Sequence, residues 1–297
     1  MTIRSAFSAL GPRVTNLKAM AVIMAVTIAL PALFGVQAWA AGQEADDGNS
    51  ERIRQLMRIN GFEYQISKAP QTLALQLRSQ QERSGLNQDV HAYMVEVILA
   101  AFNPAGILNR VVATLAEGED QSWLRATLAF LATPLGLKMT QLEKDASGAE
   151  SYRAMVGWGQ GLKDTPPPKS RVQLIHQLNS AAQVFESSLD AAVNMSMTLV
   201  LALEAAKPAK HLWDEKQYRE AKAKVREALR ERMRNVVFLR LLYTYRQAGD
   251  GEIKRYILFY QGQAGKKYVT LMNAAVGKAI IALTWQAAKK IKVKSRL

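Results

Sequence analysis

Cysteine is absent from this chain of 297 residues. That excludes disulfides, thiolate nucleophiles and cysteine-ligated zinc, and with them a lipid anchor attached through an N-terminal cysteine. Histidine is nearly absent: His91, His176 and His211 are all there are, and none stands at a metal-binding spacing such as H-E-x-x-H. Neither a metal nor a cofactor is expected. G-x-S-x-G, S-x-x-K and phosphate-binding glycine loops are missing as well. The glycines of G-W-G-Q-G (157–161) follow no strand pattern and adjoin prolines, which argues against a nucleotide role. Glu150, in A-E-S-Y-R-A-M, is placed like the single acid of some helical cell-wall lyases, but the glycine-rich region that should follow it is missing. The expectation is a non-catalytic protein. No stretch alternates polar with apolar residues for long, while Ala, Leu, Met, Gln, Lys and Arg dominate, so helix is expected throughout.

What is present begins with an apolar N-terminus. Arg4, Arg13 and Lys18 precede the run A-M-A-V-I-M-A-V-T-I-A-L-P-A-L-F-G-V-Q-A-W-A, which ends in the small-x-small triplet Ala38-Trp39-Ala40. A basic segment, an apolar segment broken by Pro31 and a cleavage site predict a secretory signal peptide over 1–40 and a periplasmic protein. The alternative is an inner-membrane anchor left uncleaved at residues 20–38, a run near the length that spans a bilayer. Residues 41–50, A-G-Q-E-A-D-D-G-N-S, read as a flexible tether, with Asn49 and Ser50 as candidate caps for a helix starting near Glu51.

Charge is unevenly distributed along the rest. Residues 41–165 hold 12 basic and 15 acidic side chains, whereas residues 166–297 hold 24 and 10. Such asymmetry concerns partners rather than fold. For an exported protein the polyanions at hand are lipid headgroups and acidic proteins, and export argues against nucleic acid.

The chain also repeats itself. F-L-A-T-P-L-G-L-K-M-T-Q-L (130–142) and F-Y-Q-G-Q-A-G-K-K-Y-V-T-L (259–271) share Phe, Gly, Lys and Leu in register: Phe130, Gly136 and Lys138 match Phe259, Gly265 and Lys267. Each segment follows an apolar stripe at helical spacing and reads as helix, tight break, helix, with the glycine just inside the second helix. A glycine there costs about 1 kcal/mol relative to Ala, which points to close packing at a corner; the alternative is a small apolar-ligand pocket edged by Lys138 and Lys267. Upstream, R-I-R-Q-L-M-R-I-N (52–60) aligns without a gap on R-V-Q-L-I-H-Q-L-N (171–179), and Asn60 and Asn179 are matched helix ends, with Gly61 as a left-handed cap in the first. The expected architecture is all-α. Two related helical-bundle halves, 51–156 and 171–297, are joined by a Gly/Pro linker at 157–170, G-W-G-Q-G-L-K-D-T-P-P-P-K-S.

These segments resemble the F-Y-x-S-P-x-G-x-K signature, and I-R-Q-L-M-R-I-N-G the opening helix, of a bacterial periplasmic family known as domain of unknown function 2059. Leu131 stands where that signature has its second aromatic, and Gln263 where it has proline. The resemblance implies an all-helical exported protein and carries no activity or site residues with it.

Two basic stretches complete the pattern. Between Lys207 and Arg234 lie ten basic and five acidic residues, on a helix predicted to be capped by Asp214 and to present Tyr218, Ala221, Val225, Leu229, Val236 and Arg240 inward. The C-terminus, A-I-I-A-L-T-W-Q-A-A-K-K-I-K-V-K-S-R-L, has an apolar portion too short to cross a bilayer. Trp285 with Lys289, Lys290, Lys292, Lys294 and Arg296 fits an interfacial segment on an anionic lipid surface, or a face for an acidic protein.

Overall fold

The computed structural model describes residues 45–79, 86–118, 120–147, 149–207 and 213–294. The expected signal peptide lies outside them. Every element among these residues is an α-helix: α1 (Ala45–Ile59), α2 (Phe62–Ser79), α3 (Gln88–Ala101), α4 (Pro104–Ala116), α5 (Ser122–Leu131), α6 (Pro134–Asp145), α7 (Ala149–Gly161), α8 (Lys169–Ala181), α9 (Val184–Ala205), α10 (Glu215–Thr244), α11 (Asp250–Gln261) and α12 (Gln263–Lys294). The all-α expectation holds.

Local chemistry explains most of the boundaries. Asn87 and Asn103 cap α3 and α4 by accepting from Asp89 N and Gly106 N, which satisfies otherwise orphaned amides of the first turn. Thr133 does the same for α6, with Pro134 at the first helical position. Asp214 and Gln217 form a reciprocal capping box at the start of α10. Asn60, just past the end of α1, and Asn179, which lies in the last turn of α8 and not at its end as the alignment predicted, both cap the next helix, accepting from Phe62 N at 3.1 Å and Phe185 N at 2.9 Å. Between each asparagine and its helix the chain takes one left-handed step, at Gly61 (φ 67°) and Gln183 (φ 52°).

Three boundaries differ from expectation. The helix predicted to start near Glu51 begins at Ala45, so the second half of the supposed tether is helical. The supposed linker is shorter: α7 continues through Gly157, Gly159 and Gly161, leaving only 162–168 between helices. Glycine weakens a helix by about 1 kcal/mol each without forbidding it, and here packing offsets that. Trp158 meets Tyr243 edge-on at 5.6 Å, and the bare Cα of Gly159 admits the Leu239 methyls. The last helix, whose apolar portion was expected to be too short to cross a bilayer, starts at Gln263, runs 32 residues and is long and apolar enough to do so.

The buried apolar residues form one continuous cluster from Ile53 on α1 to Ile291 on α12, with a small satellite of Ala146, Met155 and Tyr243. α12 lies against α3, α4 and α5 as well as α9, while α6 packs on α10 and α11 and α7 on α10. Residues from both sides of the linker therefore fill the same interior.

Val184–Ala205 and Gln263–Lys292 are long and apolar enough to cross a membrane by length and composition, and the bent pair α3–α4 passes when counted together. The first two run side by side and parallel, as the bonds Asn273–Ser187, Thr198–Thr284 and Lys292–Lys207 show. For both to span a bilayer the chain would have to return between them through α10, whose many Arg and Lys residues make that costly.

Candidate functional site

The two F-x(5)-G-x-K segments meet face to face. The Phe130 and Phe259 rings stack with centroids 3.9 Å apart and planes inclined by 2°. Behind each ring the glycine touches the end of the preceding helix. A Cβ on Gly136 would lie 2.7 Å from Leu131 Cα and against the Phe130 carbonyl; one on Gly265 would lie 2.7 Å from Tyr260 Cα and against the Phe259 carbonyl. Those neighbours occupy the same positions in the two segments. The glycines are corner-packing devices, as the cost argument required.

The lysines reach across. Lys138 Nζ lies 2.8 and 2.7 Å from the two carboxylate oxygens of Glu252, whose Oε2 also accepts from Gly249 N and so caps α11. Lys267 pairs with Asp120, whose Oδ1 accepts from Ser122 N at the start of α5. Each lysine thus binds the acid at the N-terminus of the helix leading into the other corner. Lys267 holds the Asp120 carboxyl well below the usual carboxylate range, and Lys138 lowers that of Glu252. Both lysines are engaged and both glycine faces are filled by backbone, which favours the packing reading over the alternative of a ligand pocket edged by Lys138 and Lys267.

Beside the corners lies a group that sequence reasoning missed. Glu143 is 5% exposed on the inner face of α6. Its Oε1 accepts from Tyr245 at 2.5 Å and from Tyr256 at 2.9 Å, and Tyr256 and Tyr260 hydroxyls are 3.0 Å apart. Oε2 has no partner. Burial pushes the Glu143 carboxyl up to about 7, against the pull of both tyrosines and of Arg240. Arg240, expected on the apolar stripe of α10, is half-buried near this acid, and burial lowers its guanidinium to about 10. The signal was spacing: Gly136, Met139, Thr140 and Glu143 recur every three or four residues and so share the buried face.

The C-terminal cations divide. Lys289 and Lys290 are exposed. Lys292 is 5% exposed and donates to the Lys207 carbonyl at 2.6 Å, so it caps the end of α9 and is withdrawn from the expected surface. Trp285, expected at a lipid interface, is half-buried against Tyr218 at 5.5 Å. The Lys294 side chain and Arg296 lie outside what is described. Of the histidines, His176 stacks on Phe238 at 4.3 Å and His91 is buried; His211 is outside the described residues. Glu150 is exposed on the first turn of α7.

Comparison with family models gave no match, and neither did comparison with curated proteins or with solved structures.

Proposed function

We propose that the chain is a duplicated helical unit, exported to the periplasm and non-catalytic, whose basic end docks on an anionic phospholipid surface. Duplication is supported by the order of partners. α1, α2, α3–α4, α5 and α6–α7 would correspond to α8, α9, α10, α11 and α12. In this correspondence α1 against α5 matches α8 against α11, and α6 against α11 matches α12 against α5. The reciprocal lysine pairs and the stacked phenylalanines fit the same correspondence, with the last helix or helices of each unit laid on the other unit. The likeness of both corners to the signature of domain of unknown function 2059 belongs to this reading, as does export directed by residues 1–40.

The observation that carries the docking surface is the meeting of three helix ends. α9 and α12 are parallel, and α10 runs against α9, as Arg226 on Asp190 and Arg230 on Glu186 require. The C-termini of α9 and α12 and the N-terminus of α10 therefore meet, and Lys216, Lys289 and Lys290 stand exposed there. Three of the nearby acids are already engaged, Glu204 with Lys207, Glu215 with Arg219 and Asp214 in its cap, which leaves Glu220 exposed one turn from Lys216. Cations at a lipid surface contribute about 1 kcal/mol each.

Residues 41–297 should co-sediment with phosphatidylglycerol-containing vesicles and not with pure phosphatidylcholine. Binding should fall between about 0.1 M and 1 M salt, as the screening length drops from about 10 Å to 3 Å. Lys216→Glu, Lys289→Glu and Lys290→Glu together should abolish it. Absent or salt-independent binding would overturn the reading.

A further inference from the structure

A cavity of about 320 Å³ opens between α9, α10, α12 and the corner joining α1 to α2. Its deep wall is apolar, formed by the buried side chains of Phe62, Ala191, Met272 and Ile280, with Val276 and Ile281 towards the opening. Gly277 borders it without a side chain; a Cβ there would meet only the Asn194 carboxamide, at 3.9 Å. Asn194 is 5% exposed and its Oδ1 has no partner. A buried amide oxygen left without a donor is costly, and here it borders the cavity. The hydroxyl of Tyr268, also on the wall, accepts from Asn60 Nδ2 at 3.1 Å.

The rim is cationic. Lys278 is exposed and Lys222 half-buried, and both border the cavity. The acid of the rim, Asp190, is held by Arg226. Burial lowers the Lys222 ammonium from its ordinary value, with Asp190 acting against the shift and Arg226 with it. An anion beside Lys222 would relieve a partly desolvated charge. Ligand sites run from about 300 to 1,000 Å³, so the volume suits one short chain and excludes a two-tailed lipid.

We infer that this cavity binds a single-chain amphiphile with an anionic head, the tail against Phe62, Met272 and Ile280 and the head between Lys222 and Lys278. The site is separate from the docking end and does not rest on the vesicle reading.

Calorimetric titration of residues 41–297 with dodecanoate, below its micelle concentration, tests this. Saturable one-to-one binding is expected, with dodecyltrimethylammonium, of equal tail and opposite head, weaker by about tenfold or more. Gly277→Leu should weaken dodecanoate by about tenfold or more by filling the cavity, and it adds a better helix former. Lys222→Gln with Lys278→Gln should weaken it similarly with the cavity intact, and circular dichroism melts confirm that each variant folds. No saturable binding, equal binding of the two amphiphiles, or binding that Gly277→Leu leaves unchanged would overturn the proposal. Vesicle binding should survive Gly277→Leu, and dodecanoate binding should survive the three substitutions at the docking end, so each proposal can fail alone.

Discussion

Gly136 and Gly265 show how much one absent atom can decide. Each lets a helix start against the backbone that has just ended the previous one, and backbone cannot swing aside as a side chain can. Gly136→Ala and Gly265→Ala should each lower the unfolding free energy by about 3 kcal/mol, the upper end of overpacking costs, measured by urea denaturation. The two values should agree closely, because the atoms met are the same. Glu143 makes a second prediction. Its folded pKa of about 7 lies above its ordinary value of 4.5, so between these values the folded state holds a proton that the unfolded state has released. Stability from this group is therefore present below about pH 4.5 and falls as pH rises through 7, by about 3 kcal/mol in all. Glu143→Gln should flatten that part of the pH profile. Its amide brings donors with no acceptor beside them, so the slope is the quantity to measure rather than the absolute stability. The glycines were legible in the sequence as a cost needing a reason. Glu143 was not noticed, since a glutamate on a helix is usually solvated and its tyrosines lie more than a hundred positions away.

At the scale of elements, caps were the readable part. Asp214 before α10 and Asn60 and Asn179 before α2 and α9 act through side chains that accept from amides ahead, and Pro134 opens α6 because a first helical position needs no N–H. Asn179, though, lies inside α8, which runs to Ala181, and is not the matched end that the alignment predicted. Asp214→Ala should cost about 1 kcal/mol in a thermal or denaturant melt. Helix lengths were less readable. The glycines of α7 looked like a linker because propensity was weighed without the α10 surface that Trp158 and Gly159 pack against. The apolar portion of the last helix read as too short to cross a bilayer because only its final segment was weighed; the whole helix starts at the Gly265 corner and lies along α3, α4, α5 and α9. The stripe of α10 was drawn correctly at Tyr218 and Leu229 but then drifts: Met233, Val237 and Leu241 are buried, in place of Val236 and Arg240.

The whole molecule carries the feature furthest from the sequence. Matched segments in register predicted related halves, yet nothing in a linear repeat says whether each half closes on itself. Here α12 lies on α3, α4 and α5, and α6 and α7 lie on α10, so the interior belongs to both sides of the linker. The lysine pairs across the corners are partly exposed and contribute little each, of order 1 kcal/mol or less; a double-mutant cycle on Lys138 and Glu252 should return a coupling in that range. The shared core must then do the holding. Producing residues 41–165 and 166–297 as separate polypeptides tests this most directly. Neither should show a cooperative melt alone, and mixing should give a one-to-one complex with a single transition. Two pieces that each melt cooperatively on their own, and do not associate, would contradict the account.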